Sequence, residues 1–404
     1  MPERILTSHA GSLPRPQELI ALNARRADGE QAEEAGDRQA LEQAVAEVVA
    51  RQKQVGIDLV NDGEYGHAMG SVYDYGAWWS YVFPRLGGLE LVETGVFEAP
   101  QAREQAPGEI VLATFAERRD WNLFLDAYSD PDSGAALPDT RMQHLFPACR
   151  GPITYVGHDA LQRDIADMKA AMEAAGLAEG FLNSIAPASC ARIPNEFYET
   201  DDELLYACAE AMREEYTAII DAGLSVQLDD PAIAENWDQI VPEPSVEAYQ
   251  RYTRGRIEAL NHAIRGLPPE RIRFHLCWGS WHGPHVTDIP MADIVEVMLE
   301  INAGFYSFEA ANARHEHEWR VWQDVKLPEG KRILPGIVTH STNVIEHPEL
   351  VAERIERFAG VVGRENVIAS TDCGLGGRVH PQIAWAKLEA LSQGAAIATK
   401  HLWR

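Results

Sequence analysis

The stretch FHLCWGSWHGPH at 274–285 places His275 and Cys277 two residues apart, with His282 and His285 close behind. On an extended strand, side chains at i and i+2 project from the same face about 6 to 7 Å apart, so an imidazole and a thiol at this spacing can reach one ion. A tetrahedral zinc site needs two further N, S or O donors. Glu309 in FYSFEAAN and Cys373 in NVIASTDCG close two other short apolar runs and offer a carboxylate and a second thiol. H-x-C alone describes equally well a buried histidine beside a small apolar cysteine. The metal reading gains weight from four soft or borderline donors at equivalent ends of separate runs, with His282 and His285 open as substitutes. Other polar residues close similar runs: His9 and Ser12, Asp62 and Glu64, Asn183, Asp229 and Asp230, His340, and Asp372. His340 has the residue type for acid–base work. Helix capping or a buried hydrogen-bond network competes with a binding role for Glu64 and Asp229.

The elements that must position these residues are visible as a rhythm. From about residue 180, short apolar runs of strand character alternate with segments of helical period: 181–186, 225–231, 271–277, 305–312, 333–341 and 366–374 are the runs. Upstream, 4–11 and 57–66 read as strands separated by the helical RQALEQAVAEVVARQKQVG. Eight such repeats predict an α/β fold, a (β/α)₈ TIM barrel, within a single domain over 1–404, with a doubly wound open sheet as the alternative. In that fold the chemistry lies at the C-terminal ends of the strands, where the polar residues above fall. Residues 67–179 break the rhythm, being first aromatic (VYDYGAWWSYVFP) and then punctuated by Pro and Asp, and read as one large insertion after the second strand.

The formal net charge of −27 argues against nucleic acid and anionic membrane surfaces as partners, since both are bound through clustered Lys and Arg. No run approaches the roughly 18 apolar residues of a membrane span. The first residues, MPERILTSHAGSLPRP, lack the apolar core of a signal peptide, so a cytoplasmic protein is expected. Five widely spread cysteines, an odd number, do not make a disulfide framework. GLGG at 374–377 lacks the spacing of a phosphate-binding loop. The aromatic stretch is large enough to form a contact between copies, so a homo-oligomer is compatible with the sequence.

The motifs SHAGSLPRP, NDGEYG, QLDDPAIAE, FHLC, YSFEAAN, LPGIVTHSTN and STDCGLGGR together resemble the catalytic C-terminal half of cobalamin-independent methionine synthase. That family is a zinc-dependent (β/α)₈ barrel that moves a methyl group from a folate to the thiol of homocysteine. The resemblance implies Zn²⁺ as cofactor, with ligands His275, Cys277, Glu309 and Cys373. It implies that Ser12, Glu64 and Asp229 hold a homocysteine-like thiol acceptor, and that His340 gives a proton to the departing nitrogen of a methyl-folate-like alkyl donor. A compact relative of the same fold, which opens epoxides with coenzyme M, shows that acceptor and donor can change while thiol activation stays. A metal-free lyase-like barrel and a non-catalytic zinc protein are the competing readings. WGSWHGPHVTDIP is longer than the corresponding spacer in the methionine synthases and is expected to overhang the site.

Overall fold

In a computed structural model, which describes residues 3–27, 35–67, 77–93, 110–113, 117–135 and 145–404, parallel strands curl into a TIM-type barrel. The strands in chain order are β1 (Leu6–Thr7), β2 (Leu86–Glu93), β3 (Leu145–Tyr155), β4 (Phe181–Ile185), β5 (Ser225–Asp230), β6 (Ile272–Leu276), β7 (Phe305–Phe308), β8 (Arg332–Val338) and β9 (Ile368–Thr371). Seven of them hydrogen-bond side by side in the order β1, β9, β8, β7, β6, β5, β4. β4 and β6 are buried along their whole length, as expected of strands with the core on one face and helices on the other. Such strands read as continuous apolar runs, which is why β4 to β9 stand out in the sequence.

The eighth member of the barrel, over 57–61, is reduced to a single bridge between Val60 and Gly180. The amides of Asp58 and Leu59 donate to the carbonyl of Thr7 at 3.1 and 3.0 Å, and the Phe181 amide donates to the Val60 carbonyl at 2.9 Å. This closes the gap between β1 and β4. A regular ladder does not form because the Asp58 carboxylate accepts both the Thr7 amide, at 2.9 Å, and the Thr7 hydroxyl, at 3.1 Å.

Helices between the strands carry the sequence signals of their ends. Asp201–Asp221 opens on a capping box in which Thr200 Oγ1 accepts the Glu203 amide and Glu203 accepts the Thr200 amide, each at 3.2 Å. Glycine is required where strand ends crowd. A Cβ on Gly336 of β8 would lie 2.0 Å from Asp372 Oδ1 and 2.5 Å from Asp372 Cα, at an irregularity in the β8–β9 register. Gly336→Ala is therefore expected to lower stability by about 1 to 3 kcal/mol through overpacking. A thermal midpoint equal to the wild type's would show that Asp372 yields freely.

Within 67–179, β2 pairs antiparallel with β3 outside the barrel. The helix His158–Ala175 also falls in this range, yet it packs against the helix Ala35–Gln54 and leads directly into β4. It occupies the place of a barrel helix, so the described departure from the β/α alternation ends at β3, short of residue 179. Much of the aromatic run singled out in the sequence lies outside the described residues. The ribbon is fastened to the barrel through the buried Glu215, which accepts hydrogen bonds from Tyr81 (2.8 Å), Tyr155 (2.6 Å) and Ser184 (2.5 Å) and faces Arg85 at 3.4 Å.

Candidate metal centre

Parallel register sets one half of the site. Asp229 of β5 pairs with His275 of β6, and His275 pairs with Ser307 of β7. The Ser307 hydroxyl lies 3.0 Å from His275 Nδ1 and orients the ring, whereas His275 Nε2 is buried without a hydrogen-bond partner. A buried polar atom so placed costs free energy unless something fills the role of its missing partner. The ligand atoms of His275, Cys277 and Cys373 all lie within 4.8 Å of one another. The two sulfurs are 3.8 Å apart and both cysteines are free thiols. Two thiolates on one tetrahedral ion, each about 2.3 Å from it, would be about 3.8 Å apart. The hydrogen bond between them pushes Cys277 up and Cys373 down, so one member of the pair is poised as a thiolate.

Glu309 follows β7, and its carboxylate is grouped with His340 and Asp372, again within 4.8 Å. It is not among the three donors around His275. The Trp278 amide donates to Oε1 at 3.2 Å and Asn312 to Oε2 at 2.8 Å, which hold the carboxylate beside the residue that follows Cys277. Burial pushes Glu309 well above the carboxylate range, and the neighbouring Asp372 adds to this. Asp372 Oδ1 accepts the amides of Ala310 and Ala311 at 2.6 and 2.8 Å, tying the loop that carries Glu309 to the end of β9. Burial lowers His340 to about 3, so its imidazole is neutral, and Nδ1 has no hydrogen-bond partner.

The second half of the site lies across the barrel mouth. Asp229 accepts from Asn183 and Gln227, each at 2.9 Å. Burial raises Asp229 to about 6. It raises Glu64 well above the usual range, with Asp229 as the next cause. Glu64 adopts a left-handed backbone, φ 58°, which turns its side chain inward. A Cβ on Gly11 would meet Glu64 Oε1 at 2.2 Å and Asn183 Nδ2 at 2.3 Å, so only glycine lets these two approach. Ser12 sits beneath the loop after β9, its carbonyl accepting the amides of Leu375 and Gly376 at 2.9 Å. The charge of Asp229 disfavours ionisation of Glu64, a repulsion that a cation placed between the two carboxylates would relieve.

The loop after Cys277 spans the mouth. Trp278 turns into the core, donating to the Ile289 carbonyl at 2.8 Å. Trp281 donates to the Tyr128 hydroxyl at 2.9 Å under the Arg118 guanidinium, and Asp120 accepts the amides of His285 and Val286. Ser280 accepts from Arg378 at 2.7 Å. His282 Nε2 bonds the His340 carbonyl and His285 is held by Asp288 and the Trp281 carbonyl, so neither joins the sulfur cluster. Asp120, Tyr128 and Asp372 are the contributors that spacing left without a role. Asp372 alone had a signal, its position at a strand end.

Under this loop His315 is buried between Asp288, at 3.1 Å, and Glu318, at 2.7 Å. Burial lowers its pKa, but the hydrogen bonds to the two carboxylates outweigh this and push it to about 10. A histidine raised from 6.5 stabilises the fold fully below about pH 6.5, and this contribution is lost as pH rises towards 10. The gap in thermal midpoint between wild type and His315→Gln should therefore shrink from pH 6 to pH 10; a constant gap would rule out the charged histidine.

The family described as "Cobalamin-independent synthase, Catalytic domain" matches residues 163–396. The chain is 23% identical to 2-hydroxypropyl-CoM lyase of Xanthobacter autotrophicus, over 98% of this chain and 96% of that one. It is 23% identical to the uncharacterized protein YxjH of Bacillus subtilis, over 94% and 91% of the two chains. Methionine synthase of Thermococcus kodakarensis is 24% identical over 52% of this chain and 54% of its own. Among solved structures, a B12-independent methionine synthase from Shewanella sp. W3-18-1, in complex with selenomethionine, superposes with a TM-score of 0.67 at 20% identity, covering 99% of both chains.

Proposed function

The chain belongs to the cobalamin-independent synthase catalytic-domain family, and on that premise we propose that it is a zinc-dependent alkyltransferase that methylates the thiol of an amino-acid-like acceptor. The observation that carries the metal is the cluster of two thiols 3.8 Å apart and a buried, partnerless imidazole nitrogen. Two thiolates and an imidazole suit zinc, and His275, Cys277, Cys373 and the nearby Glu309 would hold it. Zinc, when bound, supplies a Lewis acid that favours the thiolate form of the acceptor.

The protein supplies the rest. A thiol of pKa near 8.5 is about 3% thiolate at pH 7, so complete ionisation raises the nucleophile at most roughly 30-fold. Positioning contributes more, since effective molarities of about 10⁵ M are open to well-aligned partners. Asp229 and Glu64 hold the acceptor's ammonium, with Asn183 fixing Asp229, and Ser12 lines the same pocket. His340 is the acid. It starts neutral, so the proton it delivers to a leaving nitrogen is the one the thiol surrenders. Thiol and N-alkyl become thioether and N–H with no proton drawn from solvent.

The carboxylate pair also separates the acceptor classes. The sulfonate of a coenzyme M-like thiol would meet like charge there, whereas an amino acid's ammonium is neutralised. The proposal is tested by assaying zinc-loaded protein with methyl-folates and with methylated small molecules against a panel of thiols. Methyl transfer to amino-bearing thiols is expected; turnover confined to anionic thiols, or none in any pairing, would overturn it.

A further inference from the structure

His340 has no hydrogen bond at Nδ1, so its ring takes its direction from the backbone that carries it. That backbone is anchored from outside the barrel. Lys387, on the helix Pro381–Leu402, is fully buried. Its ammonium donates to Glu346 Oε2 at 2.9 Å and to the Val344 carbonyl at 2.6 Å. The other Glu346 oxygen accepts the amide of Thr339, the residue before His340, at 2.8 Å. The loop 339–346 is thus clasped at both ends, while its tip at Val344 and Ile345 is exposed. On the opposite side, His282 holds the His340 carbonyl at 3.0 Å.

We infer that the Lys387–Glu346 ion pair is a positioning device for His340, fixing the acid against the alkyl donor. A buried ion pair is a poor source of net stability compared with apolar residues of like volume, because both charges are desolvated. Its directional bonds instead fix Thr339 and Val344 relative to the final helix. Neither Lys387 nor Glu346 touches substrate; both act through residues 339 and 344.

This inference rests on the acid role proposed for His340, and the test separates the two. The matched variant Glu346→Leu/Lys387→Met removes both charges together and leaves no lone buried charge to unfold the chain. In zinc-loaded protein its thermal midpoint and zinc content should match the wild type's. Turnover with a donor that leaves as an amine, which needs a proton, should fall on the order of 100-fold in kcat at unchanged KM for the thiol, the scale of a misplaced reacting group. Turnover with a sulfonium donor, which leaves as a neutral thioether, should stay within about twofold. Glu346→Gln/Lys387→Met keeps an oxygen for the Thr339 amide but not the tie to the final helix, and should recover only part of the loss; full recovery would show that the ion pair is not the device. Equal losses with both donors, or no loss, would overturn the inference. Should the wild type use neither donor, the functional reading fails, and the His340 ring resonances, identified by their loss in His340→Asn, decide alone. Resonances shifted or broadened in the matched variant support the clasp; unchanged resonances in a folded protein reject it.

Discussion

Serine at Cys277 or Cys373 is expected to abolish both metal retention and turnover. The two sulfurs lie 3.8 Å apart and share the face towards His275, so neither has a neighbouring thiol able to replace it among the described residues. A serine hydroxyl is a far weaker zinc ligand than a thiolate, being protonated at neutral pH and harder. Metal affinity should drop by several orders of magnitude, leaving less than about a tenth of an equivalent after dialysis against a mild chelator. Elemental analysis reads this directly, alongside methyl transfer on the same samples. Far-ultraviolet circular dichroism should be nearly unchanged, because the barrel ladder does not depend on either sulfur. Stoichiometric zinc in both variants would remove the centre from this cluster.

The second large effect is expected at the carboxylate pair. Asp229→Asn keeps the shape and one of the two accepted hydrogen bonds, from Asn183 or Gln227, but removes the charge that meets an ammonium; truncating one partner of a buried charged contact costs about 2 to 5 kcal/mol. The kcat/KM for an amino-bearing thiol should fall on the order of 30- to 5,000-fold. For a thiol of similar size without an amine it should change little, or improve, as one of two repelling carboxylates is gone. Zinc content should stay at wild-type level. A parallel loss with both thiols would mean that Asp229 acts on His275, its partner across the β5–β6 register, and not on the acceptor.

The sequence carried the parts of this site that depend on local pattern. The barrel strands are largely buried, so each appears as a dense apolar run that closes in polar residues at the mouth; His275, Asp229, His340 and Cys373 all lie in or just after such a closing segment. The near-absence of ladder at 57–61 was not legible. It arises from one carboxylate, Asp58, competing with a carbonyl for Thr7, and composition gives no sign of such a swap. The bridging loop was visible as length alone. Its partners Asp120 and Tyr128 lie more than 150 residues away, and the match is made by single hydrogen bonds that impose no periodicity. The pairing of Glu346 with Lys387 was hidden for the same reason, since a buried lysine in an amphipathic helix looks like any solvated one.

The single-bridge closure at Val60 divides the barrel's evolutionary freedom. The proposed metal donors sit on the arc from β6 to β9, where each strand pairs in parallel with the next and only the β8–β9 register is irregular. Ser12, Glu64 and Asn183 sit on the arc that flanks the closure, where a few backbone bonds hold the wall together. Insertions or substitutions beside that seam can reshape the pocket for a new thiol at small cost to the frame. A lineage can therefore trade acceptors while the reactive half is inherited intact.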